Sequence, residues 1–292
     1  MSEFSGFQAV AESIAREAGA LLREFYRTGV RAEYKGDVDI VTVADRASEK
    51  LIVSRLKEQL PEHGVYGEEG TRSGLEREFR WYVDPLDGTT NFAHGFPAFC
   101  VVLGCEQRKP GLNPNEDGEI VAGVVYDPLR DEMFSAAKGA GATLNGEPIH
   151  VSKTKALQES LIATGFPSQK RHESPNVHFY QEFTLRSHGV RRAGSAALDL
   201  AYVACGRLEA FWEFKLNPWD TSAGVLLVTE SGGKITHFDG SLFTLDSREV
   251  LATNGLIHDE MKTLFVDLFA GRNLAPIPTP AEFAAKRNEL AK

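Results

Sequence analysis

The stretch FRWYVDPLDGTTNF, residues 79–92, carries more information than any other part of this chain. Its first five residues form an apolar run of strand character that stops at Asp84. Pro85 fixes one backbone φ, and Gly88 permits a conformation that other residues resist. The resulting turn brings Asp84 and Asp87 close together. Thr89 and Thr90 can open a short helix, whose leading amides offer a site for an anion. An ordinary Asp-Gly turn with a threonine cap explains Asp87-Gly88 taken alone. Two acids and two hydroxyls around a single turn call for more than that.

Two further acidic segments flank it at a distance. GEEG (67–70) follows an apparent strand over 63–67, and PWD (218–220) precedes an apparent helix. Each is weak alone, because paired glutamates usually lie on solvated surface and Asp220 would serve equally well as a helix N-cap. Together Glu68, Asp84, Asp87 and Asp220 make a set of hard oxygen donors, the kind that Mg²⁺ takes alongside water. The pattern points to a magnesium-dependent enzyme acting on a phosphate ester. Four carboxylates and a dianionic ester in one pocket would repel each other by several kcal/mol without cations.

Bulk composition fits that reading. The chain has 292 residues, 42% hydrophobic and 25% charged, ordinary values for a globular protein. Its net charge of -9 repels nucleic acid and anionic lipid, so no direct nucleic-acid or membrane partner is expected. The N-terminal residues lack a basic segment followed by an apolar one, and the most apolar window, 96–105, is far short of a membrane span. A cytoplasmic location is the expectation. Cys100, Cys105 and Cys205 cannot all pair and contain no C-x-x-C, so they read as buried free thiols, with Cys100 and Cys105 on opposite faces of one strand.

Apolar periodicity predicts helices over 7–27, from Ala47 to Leu60, from Ala196 to Cys205, from Asp220 to about Gly232, and around Met261–Phe269. Strands are expected at 63–67, 79–83, 99–105, 120–125, 133–136, 161–164 and 208–214. Residues 35–45 read as a polar turn followed by β-branched residues, and 109–119 as a surface hairpin loop. This irregular alternation indicates α+β or layered α/β organisation and not a βαβ array. We expect an N-terminal lobe over 1–150 with most of the metal ligands and a C-terminal lobe over 151–270 with substrate contacts. A proline-containing tail over 271–292 would follow.

GEE (67–69), WYVDPLDGTTNF (81–92), GSAALDLAYVACGRLEAFWE (194–213) and PWDTSAG (218–224) resemble, in order and separation, the motifs of the inositol monophosphatase family. These are magnesium-dependent, lithium-inhibited phosphatases, and the match runs from about residue 7 to residue 270. The resemblance implies a five-layer αβαβα sandwich, usually a homodimer, and two to three Mg²⁺ per site. It implies that Glu68, Asp84 and the Leu86 carbonyl hold one ion and that Asp84, Asp87 and Asp220 hold a second, with Glu68 sharing a weaker third. Thr89, linked to Asp45, would orient the attacking water. The amides of Gly88 and Thr89 would cradle phosphate, while Gly194, Ser195, Ala196 and Glu213 would meet the alcohol. Lys35 matches a family lysine near the site.

The implied reaction is hydrolysis of myo-inositol monophosphate by metal-activated water, with no covalent nucleophile. TTN (89–91) after the Asp-Gly turn and Glu213 both favour a polyol. Fructose-1,6-bisphosphate or a broad range of sugar phosphates is the alternative, and a regulatory role through protein binding is a further one. Thr221-Ser222 departs from the small apolar residues common there and would add a hydroxyl near the second ion. His94 reads as a partly buried structural histidine.

Overall fold

A computed structural model of the chain describes residues 2–29, 33–34, 40–109, 118–166, 174–277 and 279–284. Lys35 and most of the 109–119 stretch lie outside them. The chain opens with α1 (Ser5–Thr28), a two-stranded ribbon of β1 (Glu33–Tyr34) and β2 (Ile40–Val41), and α2 (Val43–Gln59). Next come β3 (Gly64–Gly67), β4 (Arg72–Ser73), β5 (Phe79–Asp87) and α3 (Thr89–Ala93). A run of strands follows: β6 (Cys100–Gln107), β7 (Glu119–Asp127), β8 (Glu132–Ala137), β9 (Gly141–Leu144) and β10 (Glu147–Ile149). The remainder comprises β11 (Leu161–Thr164), α4 (Asn176–Arg186), β12 (Gly189–Arg191), α5 (Ala196–Ala204) and β13 (Ala210–Phe214). After these come α6 (Pro218–Glu230), β14 (Lys234–Thr236), β15 (Glu249–Thr253) and α7 (His258–Phe269).

Two mixed sheets organise these elements. One has the order β10-β9-β8-β7-β6-β5-β3-β4, and the other β12-β11-β13-β15-β14. Three apolar clusters show how the layers stack. Ile14, Ala18 and Leu22 of α1 and Ile52 and Leu56 of α2 pack on the Trp81, Val101 and Val124 face of the larger sheet. The opposite face, with Tyr82, Val102 and Phe134, meets α5 and α6, which also cover Phe211 and Ala252 of the smaller sheet. Beyond that sheet, Trp212 and Leu251 pack against Phe183 of α4 and Phe265 of α7. The order is helix, sheet, helix, sheet, helix, the expected five-layer sandwich. Its middle layer explains the character of α5, AALDLAYVA, which is apolar nearly all round because both of its sides are covered. Cys100 and Cys105 do face opposite sides of β6, in different clusters.

The structure corrects several details. The strand expected to end at Val83 continues to Asp87. Asp220 does not cap its helix: Asn217 does, with Asp220 as its capping-box partner at the third position. Residues 43–45 belong to the first turn of α2, where Thr42 is the cap and Asp45 its partner. His94 is exposed, not partly buried. Helix α4 and strands β9, β10, β12, β14 and β15 carry too little apolar periodicity to have been read from sequence.

Candidate active site

The geometry of β5 places the first two acids. Side chains three apart on a regular strand point to opposite faces. Here Asp84 pairs with Val102 and Asp87 with Cys100, so three steps on β5 match two on β6. This bulge, at Pro85–Leu86, turns Asp84 and Asp87 to the same face, the one toward α5 and α6. Glu68 joins them because β3 runs parallel to β5, with Gly67 beside Val83. The Glu68 amide donates to the Val83 carbonyl at 3.0 Å, so both strands release their acids at one edge.

Buried polar contacts lock this edge. The Ser48 hydroxyl donates to the Pro85 carbonyl at 2.9 Å. The carboxylate of Glu49, buried under the GEEG turn, accepts from the Glu69 amide at 2.7 Å and the Thr71 hydroxyl at 2.7 Å. Arg72 lies 3.7 Å over the Tyr66 ring, which in turn contacts Trp219 at 5.6 Å. That stack ties the GEEG hairpin to the start of α6 and hence to Asp220.

Gly88 is the left-handed residue before α3, at φ 92°. A side chain there would lie 2.8 Å from the Ala98 carbonyl, so the close approach also requires glycine. The first amides of α3 have no partner within the helix. Thr89 follows at once. Its hydroxyl lies 2.9 Å from Oδ1 of Asp45 and 3.0 Å from the Leu86 carbonyl. Asp45 is held in turn by the Thr42 amide at 2.8 Å and the Thr42 hydroxyl at 2.6 Å, both donating to Oδ2.

The second sheet's helices complete the site. Oδ2 of Asp87 accepts from the Ser195 hydroxyl at 2.6 Å and the Ala197 amide at 2.9 Å, at the start of α5. Asn91 donates to the carbonyls of Ala98 and Ala193, at 2.7 and 2.8 Å. Oδ2 of Asp220 accepts from the Asn217 amide at 2.7 Å. Helices α3, α5 and α6 thus all begin here, and their N-terminal ends favour negative charge.

A cleft of about 560 Å³ opens over this edge. Glu68, Asp87, Gly88, Thr89, Gly194, Ser195, Ala196, Glu213 and Asp220 all stand on its wall. Asp84, Leu86 and Asp45 do not: each is buried behind it, Asp84 with its Oδ1 accepting from the Leu86 amide at 3.0 Å. The Thr221 hydroxyl reaches back to the Asn217 carbonyl, and Ser222 faces Gly104 of β6. Neither adds to the cleft. Sequence reading passed over Asp199, Arg192 and Trp219, which do line it. For Asp199 a signal existed, since it is the one charge in the α5 segment.

Burial, and then the charges of Glu68, Asp87 and Asp220, push the Asp84 carboxyl well above the usual range. Burial raises Asp87 against the opposing hydrogen bonds from Ser195 and Ala197. Asp220 is raised well above its ordinary value by burial and then by Glu68. Four carboxyls that penalise one another's charge form a donor set suited to a hard divalent cation. Among the described residues no three His, Cys, Asp or Glu side chains already stand in coordinating geometry. Hydrogen bonds from the Leu86 amide, from Ser195 and Ala197, and from the Asn217 amide each hold an oxygen of Asp84, Asp87 and Asp220 respectively.

The model of the inositol monophosphatase family matches residues 4–270. An inositol-1-monophosphatase of Synechocystis sp. is 41% identical over 266 residues, 89% of this chain and 88% of that one. The Nus factor SuhB of Pseudomonas aeruginosa is 42% identical over 253 residues, 84% and 90% of the two chains. Among solved structures, an inositol monophosphatase from Anabaena (Nostoc) sp. superposes with a TM-score of 0.79 at 40% identity, covering 91% of this chain and 97% of the other.

Proposed function

This chain belongs to the inositol monophosphatase family, and we propose that it hydrolyses the phosphate monoester of a small polyol, myo-inositol monophosphate foremost, to the free alcohol and phosphate. One observation carries the reading: nine residues expected at such a site, drawn from six separate elements or their ends, share the wall of one open cleft.

Glu68, Asp84, Asp87 and Asp220, with the Leu86 carbonyl, are the groups that would hold two to three Mg²⁺. Bound cations would supply charge neutralisation and a lowered pKa for the attacking water. The protein's own groups do the positioning. With Asp45 ionised, the Thr89 hydroxyl donates to it and keeps a lone pair for water in the cleft, so it can take a proton from that water as it passes its own to Asp45. Asp45 cannot swing away, because Thr42 holds its other oxygen. The first amides of α3 suit the phosphate, and the Ala196–Glu213 side of the cleft suits the alcohol. Little else is required, since phosphoryl transfer depends mainly on positioning and charge.

The 1–150 and 151–270 lobes are supported by the way each sheet draws its strands from one side of residue 150. A homodimer and a cytoplasmic location also belong to the proposal. Among the described residues no helix is long and apolar enough to cross a membrane. Fructose-1,6-bisphosphate is the competing substrate. A regulatory role through protein contacts gains support from the Nus factor relative.

A phosphate-release panel tests the reading, with inositol monophosphate, fructose 1,6-bisphosphate, a nucleoside bisphosphate and histidinol phosphate, each with and without Mg²⁺ and Li⁺. Mg²⁺-dependent, Li⁺-sensitive release that is fastest from inositol monophosphate supports it. No release from any of the four overturns it.

A further inference from the structure

We propose that Asp199 recognises a hydroxyl on the substrate's alcohol portion and thereby favours polyol phosphates over simple esters. The assignment rests on the phosphatase reading above. Asp199 lies in the first turn of α5 and is 2% exposed, yet its residue forms part of the cleft wall. The backbone amide of Asp199 is satisfied by the Ser195 carbonyl at 3.1 Å. Its carboxyl is not: among the described residues no donor reaches it, and burial first, then the like charge of Asp87, push it well above the usual carboxylate range.

A buried carboxylate without a donor is expensive, and an apolar side chain would serve the core better at this position. The neighbours on α5, Leu198 and Leu200, show what the core alone selects. The missing partner must therefore come from what enters the cleft, and a hydroxyl group, which both donates and accepts, suits the carboxyl in either protonation state. Glu213 stands on the same wall, 8% exposed, close enough for the charge of Asp199 to act on it. Glu213 is packed against Gly165, which leaves no room for it to withdraw. The wall thus presents two acceptors from different elements, matched to a substrate with more than one hydroxyl. Arg192 at the cleft mouth is the cation whose charge opposes theirs on Glu213, and it is exposed, so it does not satisfy Asp199.

Steady-state kinetics of the full chain in Mg²⁺ test this, comparing inositol monophosphate with p-nitrophenyl phosphate, which has no hydroxyl. Asp199→Ala should lower kcat/KM for inositol monophosphate by about tenfold or more, chiefly through KM. The loss on p-nitrophenyl phosphate should be at least about fivefold smaller. Asp199→Asn, which keeps an acceptor, should recover most of the difference. Should Asp199→Ala fail to fold, the wild-type protein still decides the matter with inositol phosphates each lacking one hydroxyl. One such deletion must cost wild type about tenfold and cost Asp199→Leu, which keeps the volume but no acceptor, clearly less. Equal losses on both substrates, no loss on inositol monophosphate, or a shifted Mg²⁺ requirement overturns the assignment while leaving the phosphatase reading standing. Wild-type protein that releases phosphate from neither substrate overturns both.

Discussion

The Ser195 hydroxyl, at the start of α5, donates a 2.6 Å hydrogen bond to Oδ2 of Asp87, at the end of β5. Residues 108 apart in the chain are thereby joined, and the carboxylate of a cleft-wall residue is fixed through its Oδ2. Asp87→Asn should keep the Ser195 and Ala197 bonds through its amide oxygen and present an NH₂ where a cation needs an acceptor. Turnover should fall by about two to three orders of magnitude, with the melting temperature little changed. Near-normal turnover would sink the two-cation reading.

Thr89 and Asp45 test the proton path. Thr89→Ala removes the hydroxyl between Asp45 and the cleft, so kcat should drop by about a hundredfold with KM nearly constant. Thr89→Ser keeps the hydroxyl and should recover much of the rate. A raised KM at unchanged kcat would show that Thr89 serves binding instead.

The acidic cluster should make stability depend on pH and on divalent cations together. Asp84, Asp220 and Glu213 have carboxyls raised well above their ordinary values, by burial first and then by like charges. The folded state therefore holds protons that the unfolded chain gives up. Their contribution is fully present below about pH 4 and is lost as pH rises through the folded values. Added Mg²⁺, which favours the ionised forms, should raise the melting temperature more at about pH 8 than at about pH 5. Equal shifts at both values, measured by calorimetry against chelated protein, would count against a cation among these carboxyls.

His258 works in the opposite direction and far from the cleft. Its ring sits between the Thr236 and Thr253 hydroxyls, 3.0 Å from each. Burial first, and then Lys234, push it down to about 4 from 6.5. The unfolded chain takes up a proton that the folded state refuses. Stability present above about pH 6.5 is thus lost as pH falls through about 4, by up to about 3 kcal/mol. Urea titrations at several pH values should show His258→Gln losing less stability than wild type over that window. An unchanged acid slope would refute the assignment.

Much of the site was legible because a few constraints are local. The turn at Asp87-Gly88, the helix starting at Thr89 and the long amphipathic helices follow from backbone stereochemistry and apolar period, which a chain carries in order. What stayed hidden depends on partners distant in sequence. No local signal announces α4 or β12, because the smaller sheet and α7 supply what their own periodicity lacks. The extension of β5 past Pro85 is visible only against β6, whose two steps answer its three.

Residue types and their spacing were enough to single out the four acids, the turn that presents two of them and the family to which the chain belongs. Convergence was settled by packing. The bulge that turns Asp84 and Asp87 to one side, the parallel pairing that brings Glu68 beside them, and the sandwiched helix that carries Asp199 to the cleft are all long-range facts. Side-chain direction on a strand reverses with every residue, so a single added residue relative to a neighbouring strand determines which face a carboxylate meets. That count belongs to a pair of strands and cannot be written in either one alone.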